Sequence, residues 1–397
     1  MSKLIRSNTW KIFFSLALLM SAFTWGSGTQ VQAQGGSGAV YAMTNDAISN
    51  QVIVFDRASD GTLSPGTSFP TGGMGSGGFE NSANGLVLGS HTRESSPINL
   101  GGSDRLLFAT NAGSDSISVF RTTNDGLELV DVEPSNGDHP ISVTVSKGVL
   151  YVLNGGATNC SGGTPTISGF TVSGQGELSP IPGSTRPVSG GANSGCAQVS
   201  FNPQGDVLVV TQRQADKIDT YLVDRDGVAT GPIVNETTGM GPFGFTFTQR
   251  GHLLTTENFG AAPLQGGAAS YNVPDNGVLT PNGPTERNGR SDTCWFVVTD
   301  NNKYGFTTNF QTGDISSFRV LPNGSLQLLN PIADGGNTGI GASDEAMSGN
   351  SKYLYARNAL QSSIDVYEVG SDGSLTPVQT VVDPRLGTLA AIGLAAK

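Results

Sequence analysis

The chain has 397 residues, 56 of them Gly, about twice the usual ~7%, while Asp, Glu, Lys and Arg together make only 13%, roughly half the usual ~25%. This balance excludes coiled coils and helical bundles, the absence of a G-X-Y period excludes collagen, and 36% apolar residues in short runs exclude disorder. A net charge of -11 makes nucleic acid and anionic lipid poor partners, and what remains is an all-β chain with many turns.

The N-terminal 33 residues read as a secretory signal. Lys3, Arg6 and Lys11 give a basic start, residues 12–23 are apolar, and Val31-Gln32-Ala33 fits a small-x-small cleavage site. The apolar stretch is shorter than the ~20 residues that span a bilayer. Cleavage near Ala33 predicts a secreted or periplasmic mature domain, residues 34–397, with no membrane span. Loss of three basic residues and no acid takes the net charge to -14.

From residue 40 onward a unit of about 50 residues recurs seven times. Short strands end in an aromatic at Phe55, Phe120, Phe170, Tyr221, Tyr271, Phe318 and Tyr367, spaced 65, 50, 51, 50, 47 and 49 residues apart. A turn glycine follows each, at Gly61, Gly126, Gly176, Gly227, Gly277, Gly324 and Gly373, and this ladder has the same spacings. Before each aromatic strand lies another that stops at Asn and reverses through a polar loop, as in Arg105-Leu-Leu-Phe-Ala-Thr-Asn111. Equivalent segments are 41–45, 150–154, 253–258, 304–309 and 353–358, with Gln212 replacing Asn in the fourth unit. Apolar or small strands at 141–145, 197–201, 243–247 and 295–298 precede these pairs and suit the crowded axis of a ring.

With a fourth strand after each glycine turn, the units predict a seven-bladed β-propeller of four-stranded antiparallel blades. The first unit lacks an inner strand, while residues 387–394 form an unused strand of that type. The C-terminal strand is therefore expected to close the ring by completing the N-terminal blade, which removes exposed sheet edges. The 65-residue spacing places an insertion of about 15 residues within about 62–104. Its Gly-rich start (71–78) and residues 90–104 are read as exposed loops.

The strand-Asn, Ser-x-Ser-x-Phe and Asp-Gly-x-Leu pattern resembles the lactonase family of seven-bladed propellers, which includes 6-phosphogluconolactonases and carboxy-muconate lactonizing enzymes. Phe108-Ala-Thr-Asn-Ala-Gly-Ser114 also resembles the YVTN repeats of surface propellers. The resemblance implies histidines at the starts of inner strands and a Gly-Pro-Arg-His motif. Here Ser142, Ala197 and Phe243-Gly244 stand at those positions, with Glu257 matching the acid of an Asn-Glu pair. A lactonase has to bind an anion and stabilise a developing oxyanion.

The loops that lead into the inner strands gather at one end of the channel. The polar residues expected there are His139, Arg213, Glu257, Asp292, Asp344, Glu345 and Arg357. Two readings stand: a monomeric module that binds a small molecule, glycan or protein without the family's catalysis, and a divergent lactone hydrolase or cyclase using Glu257 with Arg213 or Arg357. A turn role is the plain alternative for His139, and loop charges neutralising one another is the plain alternative for the ring. No spacing points to a metal or other cofactor; Asp/Asn-rich loops leave Ca²⁺ open without a ligand motif. Cys160 and Cys196 fall at one end of neighbouring blades and are expected to form a disulfide, leaving Cys294 free and buried.

Overall fold

A computed structural model describes residues 38–89, 106–387 and 393–397. The signal read at 1–33 and the insertion segment 90–104 lie outside them. The described strands form seven antiparallel sheets arranged as blades, six built from strands consecutive in the chain and blade 1 from three N-terminal strands and the C-terminal one. In blades 3 and 5 the outermost strand is broken into two short pieces, Leu178–Pro180 with Arg186–Pro187 and Thr280–Pro281 with Glu286–Arg287. Among the described residues, no helix is long and apolar enough to cross a membrane.

Ring closure is direct. Gly38–Met43 is the second strand of blade 1, and the inner place beside it is taken by Leu394–Ala396, pairing Val40 with Ala396 and Ala42 with Leu394. The closing strand thus starts where the stretch expected from sequence ends, and residues 388–392 lie outside the described part. Blade 1 then stacks on blade 7 through Val40, Ile53, Phe55, Tyr355, Ile364 and Val366, all fully buried. Alternation in each strand supplies such an apolar layer to both neighbours, and burial of these layers holds the ring.

The turn glycines are needed for two reasons. All seven adopt positive φ, and a Cβ on Gly61 or Gly373 would lie 2.3 or 2.5 Å from the ring of Tyr353 or Tyr304. Other turns pack as closely on the adjacent blade, Gly126 against Phe69 and Gly227 against Ile181 and Val149.

The second strands end in a common anchor. Asn111, Asn154, Gln212, Glu257, Asn309 and Asn358 are the last residues of these strands, so the fifth unit's strand stops at Glu257, one residue before the Asn expected from sequence. Each side chain holds the loop that leads into its own blade. Asn111 Oδ1 accepts from Thr71 Oγ1 at 2.7 Å, Gln212 Oε1 from the Gly190 amide at 2.7 Å, and Glu257 Oε1 from the Gly239 amide at 2.9 Å. These anchors fix the channel mouth.

Candidate functional site

The mouth is built from the starts of the inner strands. Each start is marked by a residue with positive φ: Asn84 (59°), His139 (61°), Gly195 (54°), Gly241 (66°), Asp292 (59°), Gly341 (101°) and Gly393 (80°). Four blades use Gly, as this conformation favours. His139 and Asp292 occupy it with larger side chains at a cost of roughly 1–2 kcal/mol each, and such outliers mark positions where the side chain is wanted. Just inside, inner strands of five blades carry irregular pairing, which turns Ala197, Cys294 and Asp344 away from regular alternation.

Residues 79–84, inside the region read as an insertion, cross this mouth. The Ala83 amide donates to the Ala197 carbonyl of blade 4 at 3.0 Å, and Trp295 Nε1 of blade 6 donates to the Ser82 carbonyl at 3.3 Å. Phe79 stacks on Phe310 at 5.3 Å. Ala83, Ala197, Phe243, Cys294 and Trp295 form one buried apolar cluster. Residues 79–84, which lie between the two stretches expected as exposed loops, thus plug the channel, and two of the positions where the resemblance implies His or Arg, Ala197 and Phe243, make the plug's apolar seat.

The plug also delivers a carboxylate. Glu80 is fully buried, and its Oε1 lies 2.8 Å from His139 Nε2, while its Oε2 accepts the Asn159 amide at 3.2 Å. The His139 side chain retains 14% exposure, so the ring is not wholly covered. This is the orientation of a general base, an imidazole held by a buried acid. Glu80 and Asn159 were missed from sequence. A search for non-glycine residues in the glycine register at inner-strand starts would have singled out His139 and Asp292, but no local signal brings Glu80 across from the loop.

Arg213 is tied to the same region through a short route. Asn159 adjoins Cys160, and Cys160 is disulfide-bonded to Cys196 with their Cα atoms 5.4 Å apart. The Arg213 amide donates to the carbonyl of neighbouring Gly195 at 3.0 Å. The guanidinium Nε is buried and has no hydrogen-bond partner among the described residues. Its charge acts on Asp292, whose Oδ1 accepts from Cys294 Sγ at 3.2 Å and Asn258 Nδ2 at 3.3 Å. Burial nevertheless raises the pKa of Asp292, and burial together with Asp292 raises that of Cys294, a buried free thiol. Replacing both Cys160 and Cys196 by Ser is expected to cost about 2–4 kcal/mol, read as a lower thermal midpoint that reductant reproduces in the wild type.

The remaining expected site residues are not gathered with these. Glu257 is fully buried against Thr238, Gly239, Tyr271 and Thr285, and the cation acting on it is Arg287. It occupies the anchor position filled by Asn, or by Gln212 in blade 4, elsewhere. Burial raises its pKa, opposed by hydrogen bonds from Thr285, Gly239 and Thr238. Arg357 is 1% exposed and donates to the carbonyls of Met43 at 2.8 Å and Leu386 at 2.5 Å, close to Asp344. Among the described residues no group of three or more His, Cys, Asp and Glu gathers to hold a metal.

Buried acids give the fold a pH signature. Burial pushes Asp344 up to about 7 despite Arg357, and pushes Asp365 up to about 6 despite a hydrogen bond from Thr380. A raised acid favours the folded state fully below its unfolded value near 3.8, and the benefit is lost as pH rises through the folded value. The thermal midpoint of Asp365→Asn should therefore fall less than that of the wild type between pH 4 and 7. Parallel midpoint curves would discard this.

Residues 38–161 match the family described as lactonase, 7-bladed beta-propeller. No curated protein matches the chain in sequence. Among solved structures, a 6-phosphogluconolactonase candidate from Bacteroides fragilis is 16% identical, covering 92% of this chain and 99% of its own with a TM-score of 0.64. A periplasmic gluconolactonase from Pseudomonas aeruginosa is 16% identical, covering 87% and 96% with a TM-score of 0.64. A second 6-phosphogluconolactonase candidate, from Bacteroides uniformis, is 19% identical over 87% and 96%, with a TM-score of 0.62. The chain is thus similar to the lactonase-type seven-bladed propellers, in fold along its described length and in sequence over residues 38–161.

Proposed function

We propose that this protein hydrolyses a small lactone at the channel mouth, with His139 as general base. The observation that carries this reading is the 2.8 Å contact between His139 Nε2 and the buried Glu80, in a fold shared with proteins described as gluconolactonases. A water deprotonated by His139 attacks the ring carbonyl, and Arg213, whose buried guanidinium Nε has no hydrogen-bond partner among the described residues, is the cation assigned to the negative charge that develops on the carbonyl oxygen. The ring C–O bond then breaks, and the imidazolium returns its proton to the leaving alkoxide, giving the open hydroxy acid. The N-terminal basic-apolar segment supports action outside the cytoplasm, where an unphosphorylated sugar lactone is the fitting substrate class.

A second reading is a ligand-binding module without turnover. It is favoured by Ser142, Ala197 and Phe243-Gly244 in place of the resemblance's histidines and arginine, and by the apolar seat that the plug makes there. Turnover of an aldonolactone panel, followed by proton release, separates the two. Hydrolysis lost in His139→Asn supports the first reading. Saturable binding of these lactones in a thermal-shift assay with no hydrolysis supports the second.

A further inference from the structure

Beneath the plug the channel widens into a cavity of about 160 Å³, roofed by Ala83 and Asn84 and walled by the inner strands of six blades. It has room for about five waters at ~30 Å³ each and is smaller than the ~300 Å³ of ordinary small-molecule pockets. Its walls include Leu88, Phe245, Phe247, Trp295, Phe296 and Met347. The polar wall residue Gln198 is already satisfied, its amide donating to and accepting from the Phe245 backbone at 2.8 Å each.

Blade 7 places two consecutive carboxylates in this lining, and their situations differ. Asp344 Oδ2 accepts the Gly393 and Leu394 amides at 2.9 and 3.0 Å, and the Arg357 charge stands beside it. Glu345 is 5% exposed, no side chain pairs with its carboxylate among the described residues, and its one backbone contact, with the Val297 amide, falls short of a well-formed hydrogen bond. One cation therefore offsets one of two buried acids. A buried carboxyl with so little support in an aromatic cavity is costly to the fold, and such a group requires an explanation.

We propose that this cavity binds a small primary alkylammonium ion, its ammonium group on the Glu345 carboxylate and its alkyl part against Trp295 and the phenylalanines. Two acceptor oxygens suit an ammonium with three donors, and the aromatic faces attract a cation. A divalent metal would need a larger set of oxygen ligands than this pair supplies. Burial and the adjacent Asp344 raise the Glu345 pKa well above the carboxylate range, and a bound cation opposes that shift, so its uptake is linked to proton release. The charged groups that face it are Asp344, Arg357 behind Asp344, and Asp300 on the lining.

Calorimetric titration of the full chain with propylammonium chloride tests this, run in two buffers of different ionisation enthalpy. The expected result is saturable binding with proton release, at least tenfold tighter than the neutral 1-propanol, and at least tenfold weaker in Glu345→Gln. Equal binding of 1-propanol, no saturable uptake, affinity unchanged in the variant, or full displacement by equimolar Ca²⁺ would each overturn it. The comparison of propylammonium with propanol uses only the wild type, so it stands even where the variant folds poorly. Glu345 is separate from His139 and Glu80, so ammonium uptake and lactone turnover succeed or fail independently.

Discussion

Replacing His139 by Asn is expected to lower kcat/KM for lactone hydrolysis by about 10²–10⁴-fold, the usual contribution of a positioned general base. Asn is the right probe because the backbone at this position has a φ of 61°, and Asn tolerates the left-handed region better than most residues. Its amide also donates to a carboxylate, so the plug keeps its tie while the proton acceptor disappears. Glu80→Gln should lower the rate in the same direction by removing the charge that stabilises the imidazolium. The thermal midpoints of both variants should stay near that of the wild type. Full turnover in both variants would refute His139 as the base, whatever the substrate.

The largest stability effect is expected at Arg357. Its guanidinium joins blade 7 to Met43 of blade 1 and to the carbonyl of Leu386, and it stands beside the buried Asp344. Arg357→Ala would strand that carboxylate and two carbonyls, a class of change that costs about 3–5 kcal/mol. The measurement is the thermal midpoint, which should drop by several degrees. Adding Asp344→Asn to the same chain should recover part of the loss, because the stranded charge is gone. A midpoint unchanged in Arg357→Ala would show that the contacts across the closure carry little of the stability.

The fold was legible because its determinants are local and repeat. Each glycine turn, each terminal aromatic and each strand-ending Asn is set by contacts within one blade or with the next, so seven copies spell out the ring. Closure by the C-terminal strand was readable as an unfilled inner place, though its residues lie later than the spacing suggested. The mouth was less legible. Glu257 looked like a catalytic acid from the resemblance, whereas the anchor position it fills is evident only when second-strand ends are superposed. Asp344 and Glu345 were placed in the channel region, but only packing distinguishes the well-bonded acid from the poorly supported one. The plug was invisible because residues 79–84 find their partners 59 or more positions away, at His139, Asn159, Ala197, Trp295 and Phe310. No periodicity encodes contacts of that kind.

That crossing segment has a consequence for how the protein matures. Blade 2 is made early in the chain, yet the indole that donates to its Ser82 carbonyl belongs to blade 6. The segment has no complete seat until most of the ring has been assembled, so its docking is a late event. Glu80 rides on it, and His139 acquires its acid partner only then. A partly folded or nascent chain consequently lacks the dyad, and competence at the mouth reports that the circle is complete.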